Sequence, residues 1–122
     1  MTEKERLYEA LGELIYVVAM ADGVVQKEEM EALTSILEGH SWAENIQWSF
    51  DYEQNKGHDI EALYQKVIHT CHNYGPSPIY VEFIETMTQI ARASNGIEKS
   101  EEEIITSFST DLVSRFKRDL EL

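Results

Sequence analysis

Apolar residues recur along most of the chain at spacings of three and four, the pattern that marks one buried face of an α-helix. In the first stretch these positions are Leu7, Leu11, Leu14 and Val18. Thr2 and Glu5 form a capping-box signature before the stretch, and Gly23 follows it as a residue that tolerates positive φ. The pattern therefore predicts a first helix that begins at Thr2 and stops at Gly23.

A second amphipathic helix is predicted from about Gln26 to Glu38, where Gly39 ends it. Its predicted inner positions are Met30, Leu33 and Leu37. Ser41 and Glu44 then form another capping-box signature, which predicts the start of a third helix.

Residues 46–52 fit either a helix or an extended strand, because apolar and polar side chains alternate there. Trp42, Ile46 and Phe50 nevertheless fall four residues apart, as on one face of a helix. A single strand would leave its backbone groups unpaired, and no second strand is predicted that could pair with it. Helix is therefore favoured for this segment.

A fourth and a fifth helix are predicted in the second half of the chain. Asp59 is a suitable N-cap for the fourth helix, which ends before Gly75. The fifth helix is predicted to have Ser77 as its N-cap and Pro78 at its first position. Its predicted buried positions are Val81, Ile84, Met87 and Ile90.

The last helix is predicted to start at a capping box formed by Ser100 and Glu103. Its predicted inner positions are Ile105, Phe108, Leu112, Phe116 and Leu120. About six amphipathic helices in 122 residues predict an all-α fold, built as a single domain over residues 1–122.

An internal repeat is suggested by two similar turns. Asp22-Gly23 in the first half returns as Asn95-Gly96 in the second half, 73 positions later. The same offset pairs Glu28 with Glu101, and Glu29 with Glu102. After the turns the apolar positions match better at an offset of 75, so either the second copy has slipped by about two residues or the repeat is partly coincidental. The sequence thus predicts a helix–turn–helix unit used twice about a pseudo-twofold axis.

The balance of charge limits the classes of partner. The chain has 23 acidic and 10 basic residues, a formal net charge of −13. Such a surface repels nucleic acid and anionic membranes, so neither is expected as a partner, whereas cations or a basic protein are favoured. Solubility alone also explains the charge. With one cysteine, no signal-peptide features and no apolar run near the roughly 20 residues of a membrane span, a cytoplasmic location is expected.

Six oxygen-bearing side chains flank the two turns and are candidate ligands for a divalent cation such as calcium, magnesium or zinc. They are Asp22, Glu28, Glu29, Asn95, Glu101 and Glu102. If the two halves pack symmetrically these side chains converge, and an ion would remove a repulsion of about 1 kcal/mol per close exposed pair. Helix capping and the helix dipole explain the same acidic residues without any cofactor. An EF-hand does not fit, because Val18 and Met20 would occupy ligand positions.

No enzyme motif is found in the sequence. The chain lacks a nucleophile elbow, a P-loop and a dinucleotide fingerprint. His69 and His72 are three residues apart on one helix and could reach a zinc or iron ion, but no second pair of ligands accompanies them. The chain is therefore predicted not to be an enzyme.

Aromatic residues concentrate in one short middle segment. They are Trp42, Trp48, Phe50 and Tyr52. Most of this segment is expected in the core, but any exposed part is typical of a protein-binding surface. This gives an alternative function, a metal-free interaction or homodimerisation domain that uses this aromatic segment.

An apolar helix followed by Ala-Asp-Gly, a hydrophobic residue and a Glu-Glu pair resembles the tellurite-resistance TerB-like family. The residues that carry the resemblance are Ala21, Asp22, Gly23, Val24, Glu28 and Glu29, with the second copy Asn95, Gly96, Ile97, Glu101 and Glu102. The resemblance covers the outer helices rather than the aromatic segment. The second copy has Asn95 where the first has Asp22, so it carries one negative charge fewer.

The TerB-like resemblance implies an all-helical fold with internal pseudo-symmetry and an acidic cluster that binds divalent metal. It also implies a cytoplasmic adaptor role in a stress or tellurite- and metal-resistance response. The same fold occurs in the N-terminal region of membrane-tethered J-domain co-chaperones. This chain has no His-Pro-Asp tripeptide, so a co-chaperone role is not expected.

Overall fold

The computed structural model describes residues 2–93 and 96–121 and contains six α-helices. The helices are α1 (Glu3–Ala19), α2 (Lys27–Leu37), α3 (Ala43–Lys56), α4 (Ile60–Asn73), α5 (Tyr80–Arg92) and α6 (Lys99–Leu120). The described residues contain no strand, so the prediction of an all-α fold with about six helices is confirmed. Residues 46–52 lie inside α3, which confirms that this segment is helical.

α1 is the central helix of the bundle. Every residue from Ala10 to Ala19 is buried, and the helix packs against α3, α4, α5 and α6. The sequence predicts one buried stripe on α1, but neighbouring helices cover all of its sides. An unbroken apolar run such as Leu14–Ala19 is typical of a helix in this position.

α1 and α3 approach each other closely at Gly12. A Cβ atom on Gly12 would overlap both Ser49 Oγ and the Ile46 carbonyl oxygen. Ser49 Oγ donates a hydrogen bond of 2.6 Å to the Glu9 carbonyl oxygen, and this bond joins the two helices. Glycine is unfavourable inside a helix by about 1 kcal/mol relative to alanine. Its presence here is explained by the close contact.

A polar cluster joins α1, the connection between α2 and α3, and α5. Tyr8 OH donates a hydrogen bond of 2.9 Å to Glu82 Oε2, and His40 Nε2 contacts the other oxygen of that carboxylate. His40 Nδ1 accepts a hydrogen bond of 2.9 Å from the Trp42 N–H, so the neutral ring carries its proton on Nε2 and donates it to Glu82. Burial and the contact with Glu82 raise the pKa of Tyr8 to about 12.

Two predicted N-caps are confirmed. Thr2 Oγ1 accepts a hydrogen bond of 3.1 Å from the Glu5 N–H, and the Glu5 carboxylate accepts one from the Thr2 N–H. Asp59 Oδ2 accepts a hydrogen bond of 3.0 Å from the Ala62 N–H. Both contacts join residues three positions apart, which is why the local sequence is enough to predict them.

Three predicted serine N-caps are wrong, those of Ser41, Ser77 and Ser100. The residues at these N-caps are Trp42, Ile79 and Glu98. Before α3, His40 accepts hydrogen bonds from the Trp42 N–H through its ring and from the Ala43 N–H through its carbonyl oxygen, and the helix begins after this turn. Before α5, Ser77 Oγ accepts a hydrogen bond of 3.3 Å from the Ile79 N–H within a turn, and the helix begins after that turn.

Three residues predicted as buried are exposed. Met30 is 42% exposed, Val81 is 62% exposed and Leu120 is 86% exposed. α2 packs on α5 and buries Leu33 and Leu37, so its contact stripe is narrow and Met30 lies outside it. Spacing identifies the side of a helix that is apolar, but the width of the contact depends on the neighbouring helix.

Replacing Gly12 by alanine is expected to lower the free energy of unfolding by about 1–3 kcal/mol, because the added methyl group overpacks the contact between α1 and α3. The gain in helix propensity does not offset a clash with the Ile46 carbonyl, which belongs to the backbone. Urea denaturation followed by circular dichroism measures the change.

The control is Ser35→Ala on the exposed side of α2, which is expected to change the free energy of unfolding by less than about 0.5 kcal/mol. Adding Ser49→Ala to Gly12→Ala removes the hydroxyl but leaves the carbonyl clash, so the double variant is expected to remain destabilised. A Gly12→Ala protein as stable as the wild type would contradict the close approach of the two helices.

Candidate functional site

The connection between α1 and α2 carries the first of the two predicted acidic clusters. Gly23 has a φ of 97°, and Asp22 Oδ1 accepts a hydrogen bond of 3.3 Å from the Val24 N–H, which makes a tight turn. Gln26 is the N-cap of α2, and Glu29 Oε1 accepts a hydrogen bond of 2.7 Å from its N–H. One oxygen of Glu29 is therefore used to start the helix.

The start of α6 has the same capping geometry. Glu98 is the N-cap, and Glu101 Oε1 accepts a hydrogen bond of 2.9 Å from the Glu98 N–H. Glu29 and Glu101 are thus each the third residue of their helix, at an offset of 72 (101 − 29). Each carboxylate keeps its second oxygen for another contact.

The residue pairing predicted at an offset of 73 is therefore wrong at the helix starts. It pairs Glu28 with Glu101, and Glu29 with Glu102, whereas the capping geometry pairs Glu29 with Glu101. The second connection has one residue fewer between its glycine and its N-cap, so the capping residues correspond at an offset of 72. The offset of 75 predicted for the apolar positions still relates two buried pairs, Leu33 with Phe108 and Leu37 with Leu112. Asn95 lies outside the described residues, and a repeat of the whole halves stays a prediction.

The two capping carboxyl groups meet inside the protein. Glu29 is 2% exposed and Glu101 is 1% exposed, and the two carboxyl groups lie within hydrogen-bonding reach of each other. Glu29 Oε2 is buried, and no described group donates a hydrogen bond to it. Two ionised carboxylates would repel each other strongly here, because little water is present to screen them. The contact therefore needs a proton or a bound cation.

The pKa of Glu29 is raised to about 7, chiefly by burial. The contact with Glu101 and the charges of Glu101 and Asp22 add to this rise, and the hydrogen bond from the Gln26 N–H opposes it. Glu29 therefore takes up and releases a proton near neutral pH. When protonated, its carboxyl group can donate a hydrogen bond to Glu101.

The structure brings only part of the predicted metal cluster together. Asp22 lies close enough for its charge to act on Glu29, whereas Glu28 and Glu102 are exposed on the first turns of their helices. Within residues 2–93 and 96–121, no group of three or more His, Cys, Asp or Glu side chains is arranged to hold a metal ion. Two converging carboxylates with a third nearby make an incomplete set of ligands.

The four aromatic residues predicted as a partner surface divide into two pairs. Phe50 is 1% exposed and Trp42 is half-buried against Tyr8, so Phe50 cannot contact a partner in this fold. Trp48 is 60% exposed and Tyr52 is 41% exposed, and their rings stack with centroids 5.5 Å apart. The exposed pair is what remains of the predicted surface.

The two histidines predicted as a ligand pair contact different residues. His69 Nε2 lies 3.0 Å from the side-chain nitrogen of Asn73, and His72 Nε2 lies 2.8 Å from Asp119 Oδ2. Cys71, between them in sequence, is buried, and burial raises the pKa of its thiol to about 12. A thiol with this pKa is a poor nucleophile at neutral pH.

A second group of buried acids was not predicted. Glu13 is 7% exposed and pairs with Lys66 Nζ at 2.7 Å, and Glu53 is 2% exposed and contacts His58 Nδ1 at 2.7 Å. Burial raises the pKa of Glu13, and the bond from Lys66 opposes that shift. The sequence feature that could have predicted this buried acid is the position of Glu13 inside the apolar run of α1, where a charged side chain needs a partner.

The free energy of unfolding is expected to fall as the pH rises from about 5 to 8, because folded Glu29 holds its proton up to about pH 7 whereas an unfolded glutamate loses it near 4.5. Between these values the folded state binds more protons, so raising the pH favours unfolding by about 1–3 kcal/mol in total. Glu29→Gln is expected to be more stable than the wild type at pH 8, since an amide can donate to Glu101 without carrying a charge. Urea titrations at several pH values measure both effects.

Glu28→Gln is the matched control, because it removes the same charge one residue away on an exposed position. Its pH profile is expected to run parallel to that of the wild type. Parallel profiles for the wild type and Glu29→Gln would show that Glu29 does not titrate in this range.

No protein-family model matches the chain, and neither a curated protein nor a solved structure shows significant similarity to it. Among the described residues, no helix combines the length and apolar character that crossing a membrane requires.

Proposed function

We propose that this protein is a non-enzymatic module that binds a divalent cation at the Glu29–Glu101 pair. The observation that carries the proposal is the buried contact between the two carboxyl groups, in which no described donor reaches Glu29 Oε2. A buried pair of carboxylates is unfavourable without a positive charge beside it. A cation supplies that charge when the proton on Glu29 leaves.

The carboxylate oxygens available as metal ligands favour a hard cation. The two buried groups and the nearby Asp22 are all carboxylates. Magnesium is commonly held by one or two carboxylates, and manganese prefers similar ligands. Calcium needs six to eight oxygens, and zinc sites usually include histidine or cysteine. Magnesium or manganese is therefore the ion that these residues fit best, with Asp22 as a third carboxylate or as the partner of a bound water.

A cation at this position would connect α2 and α6 directly. Each carboxylate already caps its own helix through Oε1, so an ion shared by the second oxygens would join the two helix starts. Binding to the folded state alone stabilises it by about 2.7 kcal/mol when the free ion is at 100 times its Kd. The adaptor role in a stress or metal-resistance response, implied by the TerB-like resemblance, would then depend on the ion.

Saturating magnesium or manganese is expected to raise the Tm of the wild type by on the order of 10 °C at pH 7.5, because the ion binds only the folded pair. Glu29→Gln is expected to lose this increase, and Glu28→Gln is expected to keep it. Thermal melting and calorimetric titration with magnesium, manganese, calcium and zinc measure the effect.

The absence of both binding heat and a Tm shift with all four ions would contradict the proposal. An equal shift in the wild type and in Glu29→Gln would place the ion elsewhere on the acidic surface. Because Glu29→Gln and Glu28→Gln change the net charge equally, a difference between them reports on the site itself.

A second candidate function is metal-free protein association, including homodimerisation, through Trp48 and Tyr52. The specific observation is that both rings are exposed and stacked, and Lys56 Nζ lies 5.6 Å from the centroid of the Tyr52 ring. Exposed tryptophan and tyrosine are residues that often dominate the binding energy of protein interfaces.

If Trp48 and Tyr52 mediate dimerisation, sedimentation velocity is expected to show a dimer in the wild type and at least a tenfold weaker dimer in Trp48→Ala, the size of effect that removal of a central aromatic residue has. Val113→Ala on α6 is the control, because Val113 is also exposed, at 57%, but lies on another helix. A wild type that stays monomeric over the whole concentration range would remove the homodimer version of this function.

A further inference from the structure

A cleft of about 370 Å³ lies between the N-terminal parts of α4 and α6, beside the end of α1. Its lining includes the apolar side chains of Ile60 and Ile104 and the acidic side chains of Glu61, Glu103 and Asp111. Among the described residues that line it there is no lysine, arginine or histidine. The cleft is thus apolar in part and negatively charged, and it shares no residue with the Glu29–Glu101 pair.

The order of residues along the cleft follows from two contacts between α4 and α6. Tyr64 OH donates a hydrogen bond of 2.6 Å to Asp111 Oδ2, and His72 Nε2 lies 2.8 Å from Asp119 Oδ2. Both pairs are separated by 47 residues, so the two helices run side by side in the same direction.

The acidic ends of the cleft are Glu103 and Asp111, which are about 12 Å apart along α6 at 1.5 Å per residue. Ile104 lies between them in sequence, and Ile60 lies one helical turn before Tyr64, the residue that contacts Asp111. Ile60 and Ile104 thus form an apolar part of the lining between Glu103 and Asp111, beside the polar side chains of Glu61, Gln65 and Ser107.

The negative charge of the cleft is not neutralised by the described part of the chain. Glu61, Glu103 and Asp111 form no ion pair with any described residue. Tyr64 is 6% exposed; burial raises its pKa above the ordinary value, and Asp111 and Glu61 raise it further. Because Asp111 and Glu61 both raise the pKa of the Tyr64 hydroxyl, the negative potentials of the two carboxylates overlap at Tyr64.

We propose that this cleft binds a linear aliphatic polyamine, with its methylene groups over Ile60 and Ile104 and its ammonium groups at Glu103 and Asp111. Methylene groups gain from covering apolar surface while the charged ends stay at the polar rim, as in lysine side chains. Ammonium groups make charge-assisted hydrogen bonds to carboxylates. A single metal ion suits this pair less well, because Glu103 and Asp111 lie more than two helical turns apart on α6.

The small molecule is favoured over a basic protein segment. The lining residues lie almost entirely within α1, α4 and α6, and apart from the N–H groups in the first turns of α4 and α6 their backbone groups are hydrogen-bonded inside the helices. An extended peptide would find few main-chain donors or acceptors there, although such contacts supply much of its usual affinity. The volume is also in the lower part of the range of about 300–1,000 Å³ that is typical of small-molecule sites.

The test is calorimetric titration of the full chain with spermidine, putrescine and butylamine at two salt concentrations. Spermidine is expected to bind more tightly than the shorter putrescine, and butylamine most weakly, because only the longest chain reaches both acidic ends. The double variant Glu103→Gln/Asp111→Asn is expected to weaken spermidine binding at least tenfold. The amide oxygen that Asp111→Asn introduces would still accept the hydrogen bond from Tyr64, and thermal melting checks that the variant is folded.

The control is Glu44→Gln/Glu85→Gln, which removes the same charge from α3 and α5, away from the cleft, and is expected to change spermidine affinity by less than about twofold. Equal weakening in the two double variants would overturn the proposal, since it would show attraction by net charge alone. Tighter binding of a lysine-containing peptide than of spermidine, lost in the cleft variant, would also overturn it. Glu29→Gln is expected to leave spermidine affinity unchanged, which separates this cleft from the proposed cation site.

Discussion

The complete burial of α1 is the constraint on which the remaining structure depends. Four helices have to cover it, and α3 can come close enough only because Gly12 has no side chain and Ser49 bonds to the α1 backbone. Burial on all sides also places Glu13 in the interior, where Lys66 compensates its charge. The central helix therefore decides both the positions of its neighbours and the charges that they need.

The starts of α2 and α6 show how one side chain can serve local and long-range structure together. Glu29 and Glu101 each use one oxygen to cap a helix, a local role that acidic residues commonly have. Packing then buries both side chains and brings the carboxyl groups together, which raises the pKa of Glu29 to about 7. The unusual electrostatics of this site thus follow from two ordinary helix caps that meet in the core.

The net charge of −13 is distributed over features with different chemistry. The buried pair holds two carboxyl groups in contact, which suits a proton or a small hard cation. The cleft between α4 and α6 holds Glu103 and Asp111 apart, with apolar and polar side chains between them, which suits a long cation with charges at both ends. The arrangement of the acids, rather than their number, distinguishes the two proposed sites.

The sequence by itself determined the all-α fold, its six helices and the caps at Thr2 and Asp59, because periodicity and capping act between residues a few positions apart. It did not determine that Met30 and Val81 would be exposed, since the extent of a helix contact depends on the partner helix. The choice of Glu29 with Glu101, rather than Glu28 with Glu101, was decided only by the tertiary structure. Those carboxyl groups belong to residues 72 positions apart, and a one-residue difference between the two connections sets which side chains point into the core.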